Sequence, residues 1–182
     1  MFVPDFEEVV TSPEEWFDKA EQLKYSAEIL FSFEKNRLSI KRENRADVIM
    51  DIGISVKPQA VMLFGMALEV LLKSLEVKRD MIKIINGEIK GKKRISHNIL
   101  NLIQELQIQL DEKEIRYLEK VTRHIVWEGR YPTSMSKDDF TEEYTKKNIN
   151  KWYNTYIGDD DYNNLKSIYS KIYTVVDAAL FE

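Results

Sequence analysis

Apolar residues recur along this chain mostly every three or four positions, the spacing that gathers them on one face of an α-helix. Trp16, Ala20, Leu23, Ala27, Leu30 and Phe31 form such a face behind Ser12-Pro13-Glu14-Glu15. Ser12 can cap there, Pro13 suits a first turn and Glu15 completes a capping box. The spacing predicts a helix from about residue 13 to about 35. A second helix is predicted from Pro58 to about Lys78. Val61, Phe64, Leu68, Leu71, Leu72 and Leu75 make one stripe of it, and Ala60, Leu63, Ala67 and Val70 a second. A helix apolar around most of its circumference belongs at the centre of a fold. Its polar remainder, Gln59, Glu69, Lys73 and Glu76, falls on one narrow strip with Met62 and Met66. Glu69 and Lys73 form an i,i+4 pair in the favourable orientation.

Further along, Ser96 can cap a helix that carries Ile99, Leu102, Ile103, Leu106 and Leu110. Asp111 and Glu114 then make a capping box for the next helix. Its core face is predicted to hold Ile115, Leu118, Val121, Thr122 and Ile125, with Gly129 and Pro132 stopping it. Asp159-Asp160-Asp161 puts negative charge where a helix N-terminus favours it. Leu165, Ile168, Ile172, Val176, Ala179 and Leu180 make the last helix clearly amphipathic, to about residue 181.

Three stretches are less regular. In residues 36–56, Val48, Ile49, Ile52 and Ile54 suit either helix or strand, and a connector with a partial helical turn is expected. Between Met81 and Arg94, Asn86-Gly87 flanked by isoleucines is a hairpin signal. A frayed helix end before the basic run Lys90-Gly91-Lys92-Lys93-Arg94 fits the same residues. Residues 133–157 are polar and aromatic, with a short helix expected from about 138 to 148. No repeat or inter-domain linker interrupts the chain, so one all-α domain over residues 1–182 is expected, an up-and-down bundle of about five main helices.

Composition supports helix. The chain has six glycines and four prolines, where average usage gives roughly twenty-two in all. It has no cysteine, which excludes disulfides, thiolate metal sites and a cysteine nucleophile. Two histidines, His97 and His124, exclude a multi-histidine metal centre. A net charge of −4 argues against a strongly basic nucleic-acid binder and leaves local basic patches open. The N-terminus lacks a basic segment followed by an apolar one, so no export signal is expected. The longest apolar run, Ala60 to Leu68, is less than half of the ~20 residues that cross a bilayer. A reducing cytoplasm without membrane contact is the expected setting.

Candidate chemistry concentrates on the helix after Asp111. At 100° per residue, Tyr117, Lys120, His124 and Glu128 lie opposite its apolar face, with Arg116, Arg123 and Trp127 alongside. Cations beside aromatics suit phosphate pairing and base stacking; a solvated helix face uses the same residues. His124, away from the core face, could move protons with Glu128 one turn on to orient it. His97 is the alternative proton carrier, at a helix start whose dipole disfavours its charged form. Lys92, Lys93 and Arg94 could meet phosphates or simply keep a turn soluble. Asp159 to Asp161 reads as a helix cap without a matching set of metal ligands. No Gly-rich phosphate loop, Gly-x-Ser-x-Gly elbow or zinc spacing occurs, and no metal or cofactor is expected.

Three local stretches resemble the HEPN superfamily (higher eukaryotes and prokaryotes nucleotide-binding). Ala67-Leu68-Glu69-Val70-Leu71-Leu72-Lys73 is similar to its "ALExLLK" central helix. Ser96-His97-Asn98-Ile99-Leu100-Asn101-Leu102 resembles its "GHxLxxL" helix start. Trp127-Glu128-Gly129-Arg130-Tyr131-Pro132 resembles the "WxGRYP" ending of one HEPN-like group. With their surrounding helices they cover residues from about 56 to 132. The resemblance implies a helical bundle that commonly dimerises. Many such domains are metal-independent endoribonucleases in toxin–antitoxin, phage-defence and CRISPR-associated systems.

The family's catalytic signature is an arginine, four to six residues, then a histidine. This chain departs from it: seven residues separate Arg116 from His124, and Arg123 is adjacent to it. Eight positions along a helix set Arg116 and His124 about 80° apart, a poor arrangement for one shared phosphate. Three functions remain. The first is a dimeric module that binds RNA, a nucleotide, or an antitoxin or effector protein, with Arg116, Lys120, Arg123, Trp127, Arg130, Lys92, Lys93 and Arg94 as nucleic-acid contacts. The second is a metal-independent endoribonuclease with a variant site: His124 (or His97) moves protons, and Arg123 or Arg130 neutralises charge. The third is an interaction scaffold with no nucleic-acid role.

Overall fold

The computed structural model describes residues 5–33, 38–43, 49–54, 56–91, 98–123, 125 and 159–181. They form an all-α bundle that carries two short β-hairpins. The helices are α1 (Phe6–Thr11), α2 (Pro13–Phe33), α3 (Lys57–Lys78), α4 (Ile99–Glu105), α5 (Glu112–Arg123) and α6 (Asp159–Phe181). Strands β1 (Leu38–Glu43) and β2 (Ile49–Ile54) pair antiparallel, as do β3 (Ile82–Ile85) and β4 (Glu88–Gly91).

The helix starts and stops are made by identifiable bonds, and α1 is a helix that the apolar spacing did not predict. Asp5 caps α1, accepting the Glu7 N–H at 3.2 Å. Ser12 Oγ accepts the Glu15 N–H at 3.3 Å, half of the predicted capping box. The other half differs: the Ser12 hydroxyl donates to Glu14 at 3.0 Å. Trp16 Nε1 donates to the Val10 carbonyl at 3.0 Å and ties α1 across the α1–α2 joint. The cap of α4 is Asn98, whose side chain accepts from Leu100 and Asn101. Asn98 takes the place assigned to Ser96, which lies outside the described residues. The helix is accordingly shorter than its apolar spacing suggested.

Helices α3 and α4 end alike. Asp80 and Gln107 take left-handed φ values of 54° and 56°. Met81 N–H then donates to the Glu76 carbonyl at 2.9 Å, and Ile108 N–H to the Ile103 carbonyl at 3.0 Å. These are the six-to-one bonds of Schellman motifs closed by residues other than glycine. At Asn86 and Gly87 both φ values are positive, 55° and 72°, as a two-residue hairpin turn with the right twist requires. The Asn-Gly hairpin reading therefore holds.

Within the stretch 36–56, the described segments 38–43 and 49–54 depart from the expected connector with a partial helical turn. Leu38 pairs with Ile54, Ile40 with Ile52 and Arg42 with Met50 in a regular antiparallel ladder. The Ile49–Ile52 step of three suits a helix, but two alternating segments with a turn's length between them can satisfy each other's backbone as a ribbon.

Helix α3 is the hub. It packs along α2 and α6 and also touches α4 and α5. Val61, Phe64, Leu68, Leu71, Leu72 and Leu75 are fully buried, as the first apolar stripe predicts, and of the second stripe Ala60 and Ala67 are buried while Leu63 and Val70 are only partly so. Phe64 meets Tyr162 and Tyr169 of α6 edge-on, at centroid distances of 5.4 and 5.2 Å. Phe31 of α2 stacks on Tyr162 at 3.7 Å. Gly65 lets α5 come close: a Cβ there would overlap Ile125 and stand 3.0 Å from Val121 Cγ1. No helix among the described residues is long and apolar enough to cross a membrane.

Candidate functional site

Helix α5 begins with the predicted capping box, complete in both directions. Glu114 N–H donates to Asp111 Oδ1 and Asp111 N–H to Glu114 Oε2, each at 2.8 Å. This sets the rotational phase of the helix from its first turn. Leu118, Val121, Thr122 and Ile125 are buried as predicted. Ile115 is not: it remains 39% exposed, at the edge of the face assigned to the core. Among the described residues the buried Thr122 hydroxyl has no hydrogen-bond partner.

Two residues placed opposite that apolar face are instead turned into a seam with α6. The Tyr117 hydroxyl donates to the Asp161 carbonyl oxygen. Lys120 Nζ lies 2.9 and 3.0 Å from the two Asp161 carboxylate oxygens. Their side chains keep only 20% and 16% of their exposure. Six residues earlier on α5 and ten residues later on α6, Lys171 reaches Glu114 at 2.8 Å. Burial, then the negative charge of Asp161, pushes the Tyr117 phenol well above its ordinary pKa. It therefore stays a hydrogen-bond donor. The acidic run at the start of α6 thus does more than favour a helix N-terminus, because Asp161 also holds the cation of α5.

Arg116 stands on the open side. It pairs with Glu112 at 2.9 Å, with both side chains largely in water at 71% and 84% exposure. Arg123 ends α5, on the same helix as Arg116 and Lys120. The remaining candidates, His124, Trp127, Arg130, His97, Lys92, Lys93 and Arg94, lie outside the described residues, as does Glu128. Among the described residues no group of three metal-ligating side chains converges.

A second charged feature sits in α3, inside the ALExLLK-like stretch. Glu69 and Lys73 form an ion pair with side-chain exposures of 6% and 4%, within the hub of the bundle. Both residues were legible as an i,i+4 pair; their burial was not. One turn beyond, Glu76 is half-buried. Desolvation and then the Glu105 carboxylate raise its pKa above the usual carboxylate value, against the lowering effect of Lys73. The cation of Lys73 thus faces carboxylates a turn to either side on one helix.

Chemically, the described residues offer a charged, hydrogen-bonded seam between α5 and α6 and a buried ion pair in the central helix. Both position helices, and neither presents an unpaired nucleophile. Comparison of the chain with family models, curated proteins and solved structures finds no match.

Proposed function

We propose that this chain is a HEPN-like module that dimerises and works by binding RNA, a nucleotide or a partner protein, without cleaving RNA. The setting implied by the resemblance is phage defence or a toxin–antitoxin pair, with an antitoxin or effector protein as partner. One observation carries the preference for binding over catalysis: the arginine–histidine spacing of the family's ribonucleases is missing from this chain. On α5, the ammonium of Lys120 is held between both oxygens of Asp161 in a half-buried seam. A cation so placed fixes the helix, which leaves phosphate contacts on α5 to Arg116 and Arg123.

The test is incubation of labelled mixed-sequence RNA with purified protein in EDTA, beside His124→Ala and His97→Ala proteins. Intact RNA, with retarded mobility that weakens as salt rises, is the expected result for an RNA-binding module. Intact RNA with no retardation directs the search to a nucleotide or a partner protein. Cleavage that disappears in one folded histidine variant overturns the proposal in favour of a variant endoribonuclease using His124 with Arg123 or Arg130.

A further inference from the structure

The solvent side of α2 changes character halfway along. Its first half exposes Glu14, Glu15, Asp18 and Lys19. From there on, the exposed residues are Gln22, Tyr25, Ser26, Ile29, Ser32 and Phe33, and none carries a charge. Tyr25, Ile29 and Phe33 stand 66%, 40% and 61% exposed. Spaced four residues apart, they form one continuous apolar stripe. In a chain that is 32% charged, an uncharged stripe facing solvent runs against the amphipathic rule the other helices follow.

The charges of this half are turned to the side. Lys24 pairs with Glu21 at 3.0 Å and lies over the rings of Tyr169 and Tyr173 at 5.4 and 5.7 Å. Glu21 accepts from the Tyr169 hydroxyl at 2.9 Å, and Glu28 reaches Lys166 at 3.3 Å. Those two rings and Lys166 belong to α6, which thus draws off the charges that would otherwise flank the stripe. The two serines are engaged within α2. Ser26 donates to the Gln22 carbonyl at 2.8 Å and Ser32 to the Ile29 carbonyl at 2.7 Å. Covering the stripe therefore strands neither serine hydroxyl.

An uncharged aromatic surface with a charged border has the make-up of a protein interface. The border selects the partner. At 100° per residue, Glu14, Glu15 and Asp18 fall in the same strip, about 100° wide, as Tyr25, Ile29 and Phe33. Nucleic acid fits it poorly, because phosphates would meet these carboxylates. A second copy of α2 is also ill matched over the whole strip. Laid parallel, it opposes carboxylate to carboxylate. Laid antiparallel with the two halves overlapping, it sets Asp18 against Ile29 and Glu14 against Phe33, burying charge on apolar surface.

We propose that the outer face of α2 is the docking site for a cationic amphipathic helix of a different protein. Apolar residues of that helix, repeating every three or four positions, cover Tyr25, Ile29 and Phe33. Lys or Arg residues toward one end meet Glu14, Glu15 and Asp18. The strip is about 30 Å long, enough for roughly five turns of a partner helix. The proposal rests on the binding-module reading for there being a partner, and on α2 for its place and its chemistry.

A displayed library of amphipathic helices, with a fixed leucine seam and randomised flanking positions, supplies the probe. It is selected on the whole chain, and enriched clones are remade as peptides and measured by fluorescence anisotropy. They should carry Lys or Arg toward one end. Ile29→Glu and Tyr25→Ser, both at exposed positions, should each weaken them by roughly 10-fold or more. Glu15→Lys/Asp18→Lys should weaken them comparably and favour a peptide whose cations are replaced by Glu. Circular dichroism checks that each variant keeps its helix content.

Enrichment of peptides with acidic or uncharged flanks overturns the proposal, as does the absence of any enriched peptide. So does binding indifferent to Ile29→Glu and Tyr25→Ser. A dimer that Ile29→Glu dissociates in sedimentation equilibrium gives the face to a second copy, and RNA retardation abolished by Ile29→Glu gives it to RNA; either overturns the proposal. RNA cleavage lost in His124→Ala overturns the binding-module reading and leaves the peptide results on α2 standing.

Discussion

Two ion pairs in this protein have the same local grammar and opposite surroundings. Glu69 and Lys73 in α3, and Glu112 and Arg116 in α5, are both acid-then-base pairs four residues apart. Nothing in that spacing distinguishes them. Yet the α3 pair is at most 6% exposed and the α5 pair at least 71% exposed. In α5 the partners gain little because water already solvates each. In α3 each charge has lost its water, so each depends on the other. The pair on the surface is optional, and the pair in the hub is a constraint on what else can occupy that space. Lys120–Asp161 lies between the two in exposure, and it spans 41 residues of chain where each of them spans four.

Removing one member of the buried pair should have the largest effect. Lys73→Met should cost ~3–5 kcal/mol in urea unfolding, because the Glu69 carboxylate is left in the core without its cation. The double variant Glu69→Leu/Lys73→Met should cost clearly less than the single one. Equal losses would show that packing, rather than the stranded charge, sets the cost.

The seam pair should come next. A double-mutant cycle on Lys120→Ala and Asp161→Ala should give a coupling energy of about 1–2 kcal/mol. A coupling near zero would place this pair with the surface class.

Glu76 sharpens the comparison through pH. Its raised folded-state pKa means that protonation is favoured on folding. The resulting stability is complete below the unfolded-state value of about 4.5 and is lost as pH rises through the raised folded value. Glu76→Gln mimics the protonated form. It should therefore stabilise the fold at neutral pH, with the gain vanishing in acid. A gain that persists below pH ~4 would assign it to something other than ionisation.

The smallest effect belongs to the exposed pair. Glu112→Ala should cost ~0.3–0.5 kcal/mol from the lost pairing, and 1 M salt should erase most of that.

Much of the fold could be read from residues because the signals are local. Pro58 and two apolar stripes located α3, and Asp111 with Glu114 located the start of α5 through bonds spanning three residues. Asn86-Gly87 turns where a positive φ is cheap. The misreadings share a cause. Residues 38–54 looked like a connector because a ribbon is stabilised by its partner strand, and the Ile49–Ile52 spacing suits a helix equally. Ser96 and Asn98 are both good caps, and the choice between them depends on where the following turn packs.

The candidate site was legible in part. Arg116, Lys120 and Arg123 do share α5, as their spacing required. That Lys120 is bound to Asp161, 41 residues on, follows from how α5 and α6 lie against each other. Local chemistry along the chain thus determined where α2, α3, α5 and α6 lie and begin and which pairs of charges stand one turn apart, while α1 went unread. Only the packing of α3 among α2, α4, α5 and α6 decided which of those charges lose their water. Desolvation depends on what other elements bring into place, and no property of four neighbouring residues encodes it.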